Sequence, residues 1–122
     1  MDIQSTLQNR GFDMNIHTKQ IIKHDAPTIK AILLSDLTSH LRTLYPNGTK
    51  KGNSFYIGDI SGVKGDSLVI TLSGIHKGKW TDFSTNERGD IFALFSVYFN
   101  LDARTQFKAL LQRLSEYLGY HS

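Results

Sequence analysis

Six cations, Lys50, Lys51, Lys64, Lys77, Lys79 and Arg88, are interleaved with the aromatic rings of Tyr56 and Trp80. The chemistry these types support is non-covalent. Cations track phosphates while ring faces stack on bases, at ~1–3 kcal/mol per base, which holds a single nucleic-acid strand without reading its sequence. Covalent chemistry finds much less to work with. There is no cysteine, and therefore no disulfide and no thiolate nucleophile or ligand. His17, His24, His40, His76 and His121 are scattered, none at metal-ligand spacing from another on one element. No GxSxG elbow, GxxxxGK[ST] phosphate loop or GxGxxG turn occurs. Gly62-Val63-Lys64-Gly65-Asp66-Ser67 approximates a phosphate loop. It lacks the Lys-Ser/Thr ending and leads into a strand, so it reads as a tight turn. Arg88-Gly89-Asp90 reads as a turn into a helix cap. Asp59, Asp66, Asp82 and Asp90 could in principle gather a divalent cation, but only Asp82 and Asp90 are close to one turn, and no metal is expected.

The elements that must position these residues follow from periodicity. Asp25 caps a first helix and Pro27 fits its first turn. Ile29, Ile32, Leu33, Leu37, Leu41 and Leu44 recur at three- and four-residue steps, giving one buried stripe that Pro46-Asn47-Gly48 ends. Thr49 to Asn53 reads as an exposed loop. Ser54 to Ile60, Ser67 to Leu72 and Lys79 to Phe83 read as strands of an antiparallel meander. Alternation sets Trp80 and Asp82 on the face opposite Thr81 and Phe83. Phe55 and Phe83 are expected in the core. A helix opens at Gly89 or Asp90, with Asp90 at its positive end. Ile91, Phe92, Leu94, Phe95, Val97, Tyr98 and Phe99 leave it little polar face, so it should be buried throughout. Asp102 caps a last helix with Phe107, Leu110, Leu111, Leu114 and Leu118 on one stripe, ended by Gly119.

A chain of 122 residues is expected to form one domain, with 1–24 a poorly defined N-terminal segment and 25–122 the core. In that segment Gln4 to Gln8 is expected to form a helical turn, and Ile21 and Ile22 to anchor on the core. No apolar run approaches the ~20 residues that span a bilayer, and the N-terminus lacks a signal peptide's pattern. The expected location is the cytoplasm, with no membrane partner. The net charge of +3 permits an acidic partner but is well short of a basic tail.

Trp80-Thr81-Asp82-Phe83-Ser84-Thr85-Asn86-Glu87-Arg88-Gly89-Asp90, set before an apolar helix, resembles a phrase W-x-D-F-x-[ST]-G-x-x-G-D. It is found in the cysteine-free versions of the zinc-ribbon domain at the front of phage and mobile-element primase–helicase proteins. The resemblance runs from about Leu34 to Leu118. Asn86 stands where glycine is usual, and asparagine tolerates the left-handed conformation. The zinc ligands of the wider primase family would fall at Gly58, Ser61, Asp82 and Thr85, a set that cannot hold zinc. The resemblance therefore implies the ribbon fold without the metal, its turns held by hydrogen bonds from Asp82, Ser84 and Thr85. It further implies a template-recognition module in DNA replication, since polymerisation in that family belongs to a separate domain.

The expected fold is thus α+β, a small antiparallel sheet of three or four strands packed on two or three helices, with no cofactor. The expected function is non-catalytic binding of single-stranded DNA, with Lys50, Lys51, Lys64, Lys77, Lys79 and Arg88 on phosphates and Tyr56 or Trp80 stacking. A primase or helicase catalytic domain, or another replication protein, is the expected protein partner. The alternative is a protein-interaction or structural module that kept the fold without the DNA role.

Overall fold

The computed structural model describes residues 25–119; the expectations for the N-terminal segment, and for His17, His24 and His121, lie outside them. The described chain falls into two units, residues 30–110, which hold the sheet, and a second formed by the remaining residues towards the two chain ends.

Helix α1 spans Ala26–Ser35 and α2 spans Leu37–Leu44. The single helix expected here is broken at Asp36, whose backbone leaves the helical region at φ −137° and ψ 44°. The Ser35 hydroxyl donates to the Ile32 carbonyl at 2.6 Å, the local side-chain bond by which serine competes with the helical ladder. The apolar stripe survives the break, and Leu33, Leu37 and Leu41 are all buried. Tyr45 then ends α2 with its amide on the Leu41 carbonyl and its hydroxyl donating to the Ile60 carbonyl. Burial pushes that hydroxyl's pKa up.

The sheet is antiparallel, with five strands in sequence order: β1 Thr49–Lys51, β2 Ser54–Ile57, β3 Leu68–Thr71, β4 Trp80–Asp82 and β5 Glu87–Gly89. Three or four strands were expected, and the two edge strands account for the difference. β1 was read as a loop because Thr49-Lys50-Lys51 is wholly polar. Gly52 at φ 55° opens a two-residue hairpin turn that pairs Lys51 with Ser54. Short, charged β1 is also what a sheet edge needs to avoid pairing with other chains. β5 pairs back onto β4 through a turn in which the Asn86 amide donates to the Asp82 carbonyl at 2.7 Å.

Asn86 occupies the left-handed region at φ 65°. Asn86→Gly should therefore be neutral or slightly stabilising, and Asn86→Val should cost about 1–2 kcal/mol in chemical denaturation. Equal stability of the two variants would show that this turn does not need the left-handed residue.

One face of the sheet carries Phe55, Ile57, Leu68 and Ile70, all fully buried, with Trp80 and Asp82 nearly so. Helix α3, Ile91–Tyr98, starts at Asp90, whose carboxylate accepts from the Phe92 and Ala93 amides and lies 3.6 Å from the Lys30 ammonium. Ile91, Leu94 and Phe95 are fully buried, and the Phe95 ring meets His40 of α2 edge-on at 6.2 Å. Burial outweighs the opposing effect of Asp36 and lowers the His40 pKa. The last turn of α3 corrects the expectation of burial all round, because Val97 and Tyr98 are about half exposed. Apolar composition alone gives no indication of which side of a short helix meets the core.

Helix α4 spans Phe107–Tyr117, with Leu110 and Leu114 fully buried and the Phe107 ring edge-on to Phe92 at 5.3 Å. Asp102 prepares its start rather than capping it directly. Its carboxylate accepts from the Arg104 and Thr105 amides, and the Gln106 side chain accepts from the Asp102 amide. The Arg104 amide, then the Thr105 amide, hold the Asp102 carboxyl below its ordinary pKa. Because the folded pKa is the lower one, this stabilisation is present above the unfolded pKa and disappears as pH falls through the folded one. Asp102→Ala should melt earlier than wild type near neutrality, the gap closing in acid. A gap that stays constant with pH would contradict this account.

Candidate nucleic-acid interface

Strand register brings Thr49, Tyr56, Val69, Thr81 and Arg88 into one row across all five strands. Lys51, Ser54 and Thr71 form a neighbouring row on the same face. All of these residues remain at least partly exposed. The opposite face of β2–β4 is buried, while this face stays open. Two grooves lie on it.

The larger groove encloses about 600 Å³. Val69, Thr71 and Thr81 line it from the strands, and Lys79, Phe83 and Arg88 line it from strand ends and the β4–β5 turn. The β3–β4 loop contributes Ile75, 91% exposed, and His76. That loop is built rather than loose. The Leu72 amide donates to the Asn53 carbonyl, Ser73 Oγ bonds Asn53 Oδ1, and the Lys77 and Lys79 amides donate to Gly74 and His76 carbonyls. Gly78, at φ 86°, seats its base: a Cβ there would come within 2.5 Å of Leu34 Cδ2.

The smaller groove, about 270 Å³, is lined by Lys51, Tyr56, Lys64 and Asp66 among others. The Lys51 ammonium stands 5.6 Å from the Tyr56 ring centroid, within cation–π range. Asp66 offsets part of the positive charge there. The grooves adjoin, since Val69 of the larger pairs with Tyr56 of the smaller.

Of the residues singled out from the sequence, Lys51, Tyr56 and Lys64 gather at the smaller groove and Lys79, Trp80 and Arg88 at the larger. Lys50 is in register with core-facing Phe55, and so belongs to the other face of the sheet. Lys77 sits in the β3–β4 loop but does not line the groove. Trp80 lines the larger groove but offers it little ring surface. It is 6% exposed, its Nε1 donates to the Asp90 carbonyl at 3.0 Å, and its indole lies where Gly89 has no side chain. A Cβ on Gly89 would come within 2.6 Å of the indole. Phe83, expected in the core, is 69% exposed at the groove. Alternation had correctly set Phe83 opposite Trp80; the misplaced step was which face is buried. Ile75 and His76 carry no sequence signal as site residues, since only the path of the loop brings them to the groove.

The positions at which the resemblance would set zinc ligands, Gly58, Ser61, Asp82 and Thr85, do not form a usable ligand set. Gly58 has no side chain, and its amide donates to the Val63 carbonyl. Ser61 Oγ donates to Asp59 Oδ1 at 2.5 Å and Ser84 Oγ to Asp82 Oδ1 at 2.6 Å, each carboxylate also accepting the same serine's amide at 2.9 Å. The two turns thus use one device, an Asp-x-Ser hydrogen-bonded turn. Bonding from Ser61, led by its hydroxyl, lowers the Asp59 pKa. Thr85 adds a third set, its hydroxyl accepting from the Glu87 amide and lying 3.3 Å from the Glu87 carboxylate. Among the described residues no group of three or more potential metal ligands converges, and no helix is long and apolar enough to cross a membrane. No protein-family model, curated protein or solved structure matches the chain.

Proposed function

We propose that the open face of the sheet binds single-stranded DNA, as the non-catalytic template-recognition module of a primase-like replication protein. The observation that carries the reading is the uncovered face itself. It places Lys51, Lys64, Lys79 and Arg88 around two adjoining grooves that also expose the rings of Tyr56 and Phe83. Cations supply the phosphate contacts and the exposed rings supply stacking surface, the combination that suits an unpaired strand. The resemblance of the Trp80–Asp90 phrase to cysteine-free primase domains supports the same reading. That resemblance also implies the protein partner the module would serve, a primase or helicase catalytic domain or another replication protein.

Salt tests this reading. Four phosphate contacts on a single strand predict that log affinity falls against log salt with a slope of about −3. Lys79→Glu combined with Arg88→Glu should lower affinity at low salt more than about tenfold and flatten that slope. Lys50→Glu combined with Lys77→Glu should do much less, because neither residue lines a groove. Equal effects of the two pairs, or a flat salt dependence in the wild type, would refute the interface.

A second reading has its own support. Val97 and Tyr98 are exposed on α3 outside both grooves, and paired apolar side chains at a helix end suit a protein contact. A module that meets only proteins would leave oligonucleotides unbound at low salt.

A further inference from the structure

We infer that the larger groove selects one base of the strand, a guanine, whose face stacks on Phe83 and whose O6 and N7 atoms are held by the Arg88 guanidinium. The inference rests on the single-strand reading of the open face and adds base selection to it. Placement supplies the first argument. The Phe83 amide donates to the Ser67 carbonyl, so the β3–β4 pairing runs one residue past Asp82. Phe83 thus follows Thr81 on the open face, and Thr81 is paired with Arg88. Diagonal neighbours of this kind lie about 7–8 Å apart, within reach of aromatic and long side chains. A base laid on the exposed Phe83 ring is within the arginine's reach, and both residues line the groove. Its volume of about 600 Å³ is in the range of sites that take small ligands, so a nucleoside has room there.

The second argument is electrostatic. No carboxylate lines this groove. Among the described residues, no hydrogen bond or ion pair engages the side chains of Thr71, His76, Lys79, Thr81 or Arg88. Asn53 Oδ1 already accepts from the Ser73 hydroxyl. The cationic groups are therefore donors that nothing in the fold claims. A guanidinium fork meets two acceptors on guanine, O6 and N7, which is the commonest specific contact between a side chain and a base. Adenine keeps N7 but sets its N6 amino group, a donor, where guanine has O6. The fork carries more N–H donors than the base edge uses, so Arg88 can hold a neighbouring phosphate as well. The smaller groove offers no equivalent. It has no arginine, it contains Asp66, and the Lys51 ammonium already stands 5.6 Å from the Tyr56 ring centroid.

The experiment compares thymidine octamers that carry a single central replacement, with affinity measured by fluorescence anisotropy on the full chain at low salt. One guanosine should tighten binding about tenfold, whereas one adenosine, with a similar stacking face, should change it less than about twofold. Inosine keeps O6 and N7 and should match guanosine; 7-deazaguanosine lacks N7 and should lose most of the gain. Arg88→Lys keeps the charge but not the fork. It should weaken binding of every octamer and bring the guanosine-to-adenosine ratio below about twofold. Equal affinity for the guanosine and adenosine octamers, or a guanosine preference that survives Arg88→Lys, would overturn the guanine site while leaving single-strand binding intact. No binding of any octamer would overturn both.

Discussion

Trp80→Ala should cost about 3–5 kcal/mol of folding stability, the range for truncating a buried large aromatic. Two effects add up at this position. The indole fills the space beside Gly89, and its Nε1 satisfies the Asp90 carbonyl at 3.0 Å. The change thus opens a cavity under β4 and β5 and disturbs the residue that caps α3. Phe83→Ala, three residues along, should move stability by no more than about 0.5 kcal/mol, as at other exposed positions. Its effect should fall on single-stranded DNA affinity, lowered about tenfold. Thermal melts and anisotropy titrations on the two variants separate the assignments directly. If Trp80→Ala folded normally and lost DNA binding, the indole would be the platform and Phe83 would not.

Asp82→Ala should be the next most damaging change, costing about 2–4 kcal/mol, since hydrogen bonds to a charged group are each worth ~1.5–3 kcal/mol. The carboxylate is 3% exposed and accepts both the amide and the hydroxyl of Ser84. Without it the Ser84 amide and hydroxyl lose the buried acceptor that ties this exposed turn to the sheet. The same turn carries Phe83, so DNA affinity should fall together with stability. Asp82→Asn keeps an oxygen at the accepting position and should recover most of the loss. A melting temperature for Asp82→Ala equal to wild type would mean that β5 pairing alone holds the turn. The equivalent Asp59→Ala change should be milder, because Asp59 lies in an exposed turn away from both grooves.

The α+β class was legible because its signals are local. Strand alternation over Phe55–Ile57 and Leu68–Ile70 and the Asp90 cap need only neighbouring residues to be recognised, and all appear in the structure. The left-handed Asn86 and the hydrogen-bonded Asp82 turn were legible for the same reason. The edge strands were not. Thr49–Lys51 and Glu87–Gly89 have no apolar alternation because an edge strand need bury nothing. They become strands only because β2 and β4 offer open backbone hydrogen bonds. The break at Asp36 was hidden by an apolar stripe that runs on through it.

The candidate site divides along the same line. Residue types and alternation were enough to name the cations, to list the aromatic rings, and to place Trp80 and Phe83 on opposite faces. Which of those faces is buried is a property of the whole molecule. It depends on where the apolar sides of α1–α3 settle and on the space that Gly89 leaves for the indole. That packing buries Trp80, exposes Phe83, separates Lys50 from Lys51 and bends the β3–β4 loop so that Ile75 and His76 reach the groove. Period-two alternation carries no absolute sign, and contacts between residues far apart in the chain supply it.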